Sequence, residues 1–146
     1  MIKHGFRLTI LSLTLFLFSI CEILPAQEII IIAHPDVSES ILKKDALKEI
    51  FMGDKTTWQN GNKINFAVIR QGPVNELFLK TYIDKSSVIY IRHWKRQLLT
   101  GKKATLPRLF SSEQDVVEFV KNTAGGIGYV SGKTDISRVK KIEIIK

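Results

Sequence analysis

The sequence predicts a single α/β domain with helices on both faces of a mostly parallel central sheet. Three observations predict it. An early run, "EIIIIAHP", is apolar without a polar face, the mark of a strand covered on both sides. Helical stretches follow that each carry one apolar side. The elements then succeed one another as β α β α α α β β, with no internal repeat and no low-complexity linker.

The first strand ends at Pro35, and its unbroken apolar character is typical of strands in parallel sheets. "DVSESILKKDALKEIFMG" then takes helical spacing: Ala46, Leu47, Ile50 and Phe51 share a face, and Gly53 supplies the stop. "TTWQNGNK" is a turn with Asn60-Gly61 at its tip, and "INFAVIR" is the second strand. From Val74 the chain is helical through "VNELFLKTYI", breaks between Asp84 and Ser87, and resumes in "VIYIRHWKRQLLTG". Leu77, Phe78 and Tyr82, then Ile91, Trp94 and Leu98, recur at three- and four-residue spacing and give each helix its apolar face. "SSEQDVVEFVKNT" opens with Ser111 or Ser112 as N-cap and acidic residues in the first turn. "GIGYV" and "VKKIEIIK" close the sheet.

Residues 1–26 have the order of a secretory signal: Lys3, His4 and Arg7, a 13-residue apolar run from Leu8 to Ile20, then a short mixed stretch to Pro25 and Ala26. A spanning helix is the second reading, because the run falls short of the ~20 residues a bilayer needs. Lipid attachment at Cys21 is disfavoured by the bulky Ile20 before it. The expected division is therefore a signal peptide over 1–26 and one domain over 27–146, exported across the inner membrane to the periplasm. Cleavage removes the single cysteine, so packing rather than disulfides must hold the domain. It also removes two cations and one anion, taking the net charge from +8 to +7.

A basic exported domain suits anionic solutes, lipid head groups or acidic partners, with solubility alone as the plain alternative. Paired-cysteine zinc patterns, a basic zipper and aromatic RNA-binding strands are all missing, which argues against nucleic acid. No "GxSxG", cysteine nucleophile, carboxylate cluster or metal triad supports an enzyme, and no cofactor or metal is expected.

"LKKDALKEIFMGDKTTWQNGNKI", the following "VIR", the helix with Phe78 and Tyr82, "HWKRQLLTGK" and "GGIGYV" together closely resemble the periplasmic phosphate-binding proteins of ABC transporters, from about Glu28 to Val130. The resemblance implies a periplasmic-binding-protein-like lobe that binds an anion without chemistry. This chain looks like a short, single-lobe relative. After the strand arginine the family carries Ser-Gly-Thr, whose hydroxyls and N–H groups hold phosphate; here the stretch reads "RQGPVNELF". Arg70 is kept, Gly72, Pro73 and Val74 replace the hydroxyl residues, and Asn75 is the nearest polar side chain. A helix start still offers free N–H groups and partial positive charge to an anion, and Pro73 fits its first turn.

Arg70, Gly72 and Asn75 are thus expected to line one shallow, open oxyanion site at the carboxyl edge of the sheet. His34, Asp36 and Ser38, just past the first strand, are expected to form its opposite wall. A surface ion pair for Arg70 and a capped turn for His34 and Asp36 are the plain alternatives. Gly125, Gly126 and Gly128 read first as turn and packing residues and second as backbone that a ligand approaches. Arg92, Lys95, Arg96, Lys102, Lys103 and Arg108 form a basic set, read as a solvated face or as a patch for an acidic partner or lipid head groups. His93 is expected half-exposed and Trp94 in the core. The expected function is an exported, transport-associated solute-binding module for phosphate or a related small oxyanion. The alternative is a scaffold that has lost its ligand and acts on an envelope protein partner.

Overall fold

Five consecutive apolar residues, Ile29–Ala33, are all buried and form β1 at the heart of a six-stranded sheet in a computed structural model that describes residues 27–101 and 105–146. The expected signal peptide, Lys102 and Lys103 lie outside the described residues. After β1 come β2 (Ile41–Lys43), α1 (Lys44–Met52), β3 (Asn65–Ile69) and α2 (Pro73–Phe78), which runs into a π-helical turn at Leu79–Ile83. Then follow α3 (Ser87–Leu99), β4 (Arg108–Phe110), α4 (Glu113–Asn122), β5 (Gly126–Ser131) and β6 (Lys140–Ile145).

The strand order is β2-β6-β1-β5-β3-β4. Three pairings are parallel, β2 with β6, β3 with β5 and β3 with β4. β1, however, runs antiparallel to both neighbours, with Ile29 opposite Ser131 and Ile31 opposite Ile142. Its all-apolar character reflects a central position covered on both faces, not the parallel ladder expected from it. The helical pattern expected from Asp36 onward also begins later, at Lys44, because residues 41–43 form the edge strand β2.

Residues of β5 alternate between the two faces and sort the helices. Tyr129 faces α1 and α2, where its ring stacks on Phe78 at 3.7 Å and 5° and lies 5.9 Å from Phe51. Phe66 of β3 extends this aromatic layer to Phe51 (5.4 Å) and Trp94 of α3 (5.6 Å). Gly128 faces the other way, onto α4: a Cβ there would come within 2.6 Å of Val116 Cγ1. At the start of β5, Gly125 has φ +68°, and a Cβ would overlap the Lys63 carbonyl oxygen. The glycines of "GGIGYV" are therefore turn and packing residues.

α4 begins as expected, with the Ser112 hydroxyl accepting from Asp115 N–H (3.2 Å). α2 begins with Pro73 after Gly72 and has no capping side chain. α3 departs from its expected pattern. Tyr90 and Trp94 are buried, but Ile91 and Leu98 are about half exposed, at 48% and 59%. Its apolar stripe is wider than the core that it covers, and the surplus borders a cavity. No helix among the described residues is long and apolar enough to cross a membrane.

Candidate functional site

β3 delivers Arg70 to its carboxyl end, and the chain turns through Gly72 (φ +109°) directly into α2. Among the described residues Arg70 is anchored by its backbone alone, whose N–H donates to Phe110 O of β4 (2.8 Å). Its side chain is exposed and makes no ion pair among the described residues. Within α2 the first N–H to find a helical acceptor is that of Glu76, on Gly72 O (3.1 Å). The N–H groups of Val74 and Asn75 have no such partner, as at any helix start. Space beside Gly72 is open, with nothing within 4 Å of where a Cβ would stand.

Asn75 is 3% exposed, and its Oδ1 accepts from the Tyr129 hydroxyl at 2.7 Å. That hydroxyl in turn accepts from Ile69 N–H (3.0 Å), so one phenol joins β3, β5 and α2. Burial pushes the Tyr129 pKa far up, outweighing the Ile69 N–H that favours the phenolate. The phenol stays neutral and able to donate. Asn75 keeps its amide nitrogen as a donor, and with Arg70 it borders a cavity of about 340 Å³ between β3, β4 and α3. The remaining lining is almost wholly apolar and includes Tyr90, Trp94, Leu98, Leu106 and Leu109.

His34, Asp36 and Ser38 do not face this place. β1 is antiparallel to β5 while β3 is parallel to it, so the carboxyl end of β1 lies beside the amino end of β3. His34 N–H donates to Gly126 O, and Gly126 pairs with Asn65. Arg70 is five residues further along, roughly 16 Å at the usual strand rise. The expected opposite wall is therefore at the opposite sheet edge, where its groups satisfy one another. With its proton on Nδ1, His34 donates to Asp36 Oδ1 (2.6 Å), which also accepts from Gly125 N–H (3.2 Å). Ser38 Oγ donates to Glu39 Oε2 (2.7 Å), and Glu39 Oε1 accepts from Gln59 N–H (2.9 Å). This is the capped turn, closing the loop after β1.

The end of the sheet that carries Arg70, where parallel β3 and β5 both finish, also holds residues that the sequence does not single out. At the carboxyl end of β5, Ser131 N–H donates to Glu113 Oε2 at the start of α4, and Thr134 Oγ1 donates to the same oxygen (2.7 Å). Burial pushes the Glu113 carboxyl up, but these hydrogen bonds outweigh it and hold the pKa below the usual value. Only the folded chain brings Glu113, Ser131 and Thr134 together. Of the basic set, Arg92, Lys95, Arg96 and Arg108 are exposed, and Lys95 borders the cavity. His93 is half-buried with Nε2 3.1 Å from Met52 O. Among the described residues no three His, Cys, Asp or Glu side chains group as metal ligands.

No protein-family model matches the chain, and no curated protein is significantly similar to it in sequence. Solved structures do match. PstS from Borrelia burgdorferi aligns at a TM-score of 0.63 and 17% identity, over 81% of this chain and 47% of that one. A protein of Clostridium perfringens, assigned as a phosphate ABC transporter substrate-binding protein and solved with bound phosphate, aligns at 0.63 and 16%, over 81% and 45%. An ABC-type phosphate transport receptor from Vibrio cholerae aligns at 0.54 and 16%, over 81% and 46%. The chain thus spans about half the length of the structures it matches. Its six-stranded α/β lobe has the fold of the periplasmic-binding-protein-like lobes found in phosphate ABC transporter substrate-binding proteins.

Proposed function

We propose that this chain is an exported, non-enzymatic binding module for a small oxyanion such as phosphate, held by Arg70 and by the start of α2 at Gly72 and Asn75. The observation that carries this reading is the exposed guanidinium of Arg70, unpaired among the described residues and set beside a helix start without a capping side chain. A guanidinium grips an oxyanion with two parallel hydrogen bonds. The free N–H groups of Val74 and Asn75 add directed donors and the positive end of a peptide dipole array. The structural neighbours named for phosphate transport, one of them solved with phosphate, support the same ligand class. The signal pattern of residues 1–26 supports a periplasmic location, and the neighbours named for phosphate transport support a handover to a transporter.

Titration calorimetry of the exported chain with phosphate and sulfate tests the reading. Heat at anion concentrations on the order of millimolar, lost in Arg70→Ala, supports it. No heat and no thermal shift with any small oxyanion removes it.

The second reading is an envelope protein-interaction module. The exposed apolar residues of α3, Val88 at 63%, Leu98 at 59% and Leu99 at 88%, favour it, since such side chains in one patch mark docking surfaces. A stoichiometric envelope partner lost on Leu98→Ser/Leu99→Ser, together with no anion binding, would select this reading.

A further inference from the structure

The cavity beside Arg70 is of a different chemical character from an inorganic phosphate site. Its volume of about 340 Å³ is at the lower end of ligand pockets, and its walls are almost wholly apolar. Tyr90 and Trp94 of α3 line it together with Leu106 and Leu109. Among the described residues its charged lining is Arg70 and Lys95, both cationic, with no carboxylate. Asn75, otherwise buried, brings an amide to the same cavity. Leu98, Leu106 and Leu109 remain 42–59% exposed around it, a larger hydrated apolar surface than a small oxyanion could cover.

We propose that the cavity binds a small organic oxyanion, an apolar body bearing one phosphate or comparable anionic end. The anionic end sits on Arg70, within reach of Lys95, and the apolar body covers Tyr90, Trp94, Leu98 and Leu109. This rests on the oxyanion reading of Arg70 and narrows its ligand class. Charge and shape both favour that occupant: a neutral apolar molecule would leave the guanidinium unused, and inorganic phosphate would leave the apolar walls in water. Binding removes those walls from water, which is the driving force that an anion alone lacks.

The test compares inorganic phosphate, phenyl phosphate and benzyl alcohol by calorimetry on the full exported chain, with tryptophan emission as a second readout. Trp58 is at the other sheet edge, where its Nε1 donates to Gly125 O, so a ligand-dependent emission change reports Trp94. Phenyl phosphate is expected to bind at least ~10-fold more tightly than phosphate, the usual reward for an added apolar contact. It should shift the emission, and Arg70→Ala should abolish its binding. Leu98→Ser/Leu109→Ser should erase the advantage of phenyl phosphate while leaving phosphate affinity unchanged; both side chains are half exposed, and a thermal melt checks the fold. Equal binding of phosphate and phenyl phosphate overturns the proposal and leaves the proposed function standing. Phenyl phosphate binding without measurable phosphate binding supports it. Benzyl alcohol binding as tightly as phenyl phosphate, or an advantage that survives the double substitution, overturns it. Failure of both anions overturns it together with the reading on which it rests.

Discussion

The Tyr129 hydroxyl donates to Asn75 Oδ1 at 2.7 Å while accepting the Ile69 N–H at 3.0 Å, and so fixes the start of α2 to the end of the strand that carries Arg70. The ring beneath it stacks on Phe78, one helical turn further along. Two cationic or donor groups of the candidate site, Arg70 and the α2 N–H groups, therefore take their relative position from a residue of β5. Tyr129→Phe keeps the stack and deletes only the hydroxyl. It leaves a buried N–H and a buried amide oxygen without partners, at a cost of about 1–3 kcal/mol each. The expected result is a lower urea midpoint with unchanged m-value and a weaker response to anions. An unchanged midpoint would show that the phenol does not hold the two elements together.

At Gly128 the side chains of α4 lie directly on the sheet, and a methyl group there would press on Val116, which is itself fully buried. Gly128→Ala should destabilise by about 1–3 kcal/mol through overpacking. The added volume can be returned by Val116→Ala, so the double variant should recover part of the loss, a coupling expected of residues in contact. Additive effects in a double-mutant cycle would contradict the packing account.

Much of this architecture is legible in the residues. "INFAVIR" and "GIGYV" declare β3 and β5 through apolar, β-branched runs bounded by turns, and Ser112 and Gly53 mark helix ends where the structure has them. β2 and β4 are not legible. Each has three residues, too few for a period, and Ile41 and Leu109 are about half exposed on the sheet edges, so no burial pattern marks them. Arg70 and Asn75 are brought to one cavity because local order, strand then helix, fixes their neighbourhood. His34, Asp36 and Ser38 are placed wrongly because their position depends on the direction of β1. An all-apolar run states that a strand is covered on both faces; it is silent on whether the strand runs with or against its neighbours.

Glu113 should make stability depend on pH. Its folded pKa lies below the ordinary 4.5 because hydrogen bonds from Thr134 and Ser131 outweigh the opposing effect of burial. A carboxyl with a depressed folded pKa contributes stability that is present above the unfolded value and is lost as pH falls through the folded one. Glu113→Gln should therefore unfold at lower urea than the parent at neutral pH, with the gap closing below the usual glutamate range. A gap of constant size across that acid range would mean that the ionised carboxylate is not what matters.

The two sheet edges should respond differently to anions, and this separates a ligand site from a structural turn. Arg70 is exposed and carries no packing or ion-pair role among the described residues, so Arg70→Ala should leave the melting temperature of the free protein unchanged. It should abolish the stabilisation that saturating phosphate or phenyl phosphate gives, since that stabilisation measures binding to the folded state alone. Asp36→Ala should do the reverse. Loss of its carboxylate strips the Gly125 N–H of an acceptor and frees the His34 ring, lowering stability by about 1–2 kcal/mol, while the anion-induced shift survives. Added sodium chloride should weaken the Arg70-dependent shift through screening of an exposed charge, more for inorganic phosphate than for an anion that also buries an apolar group. Thermal melts of both variants with and without anion, at two salt concentrations, decide it. An Asp36→Ala protein that loses its anion response, or an Arg70→Ala protein that keeps it, would move the site to the edge where His34 and Asp36 lie.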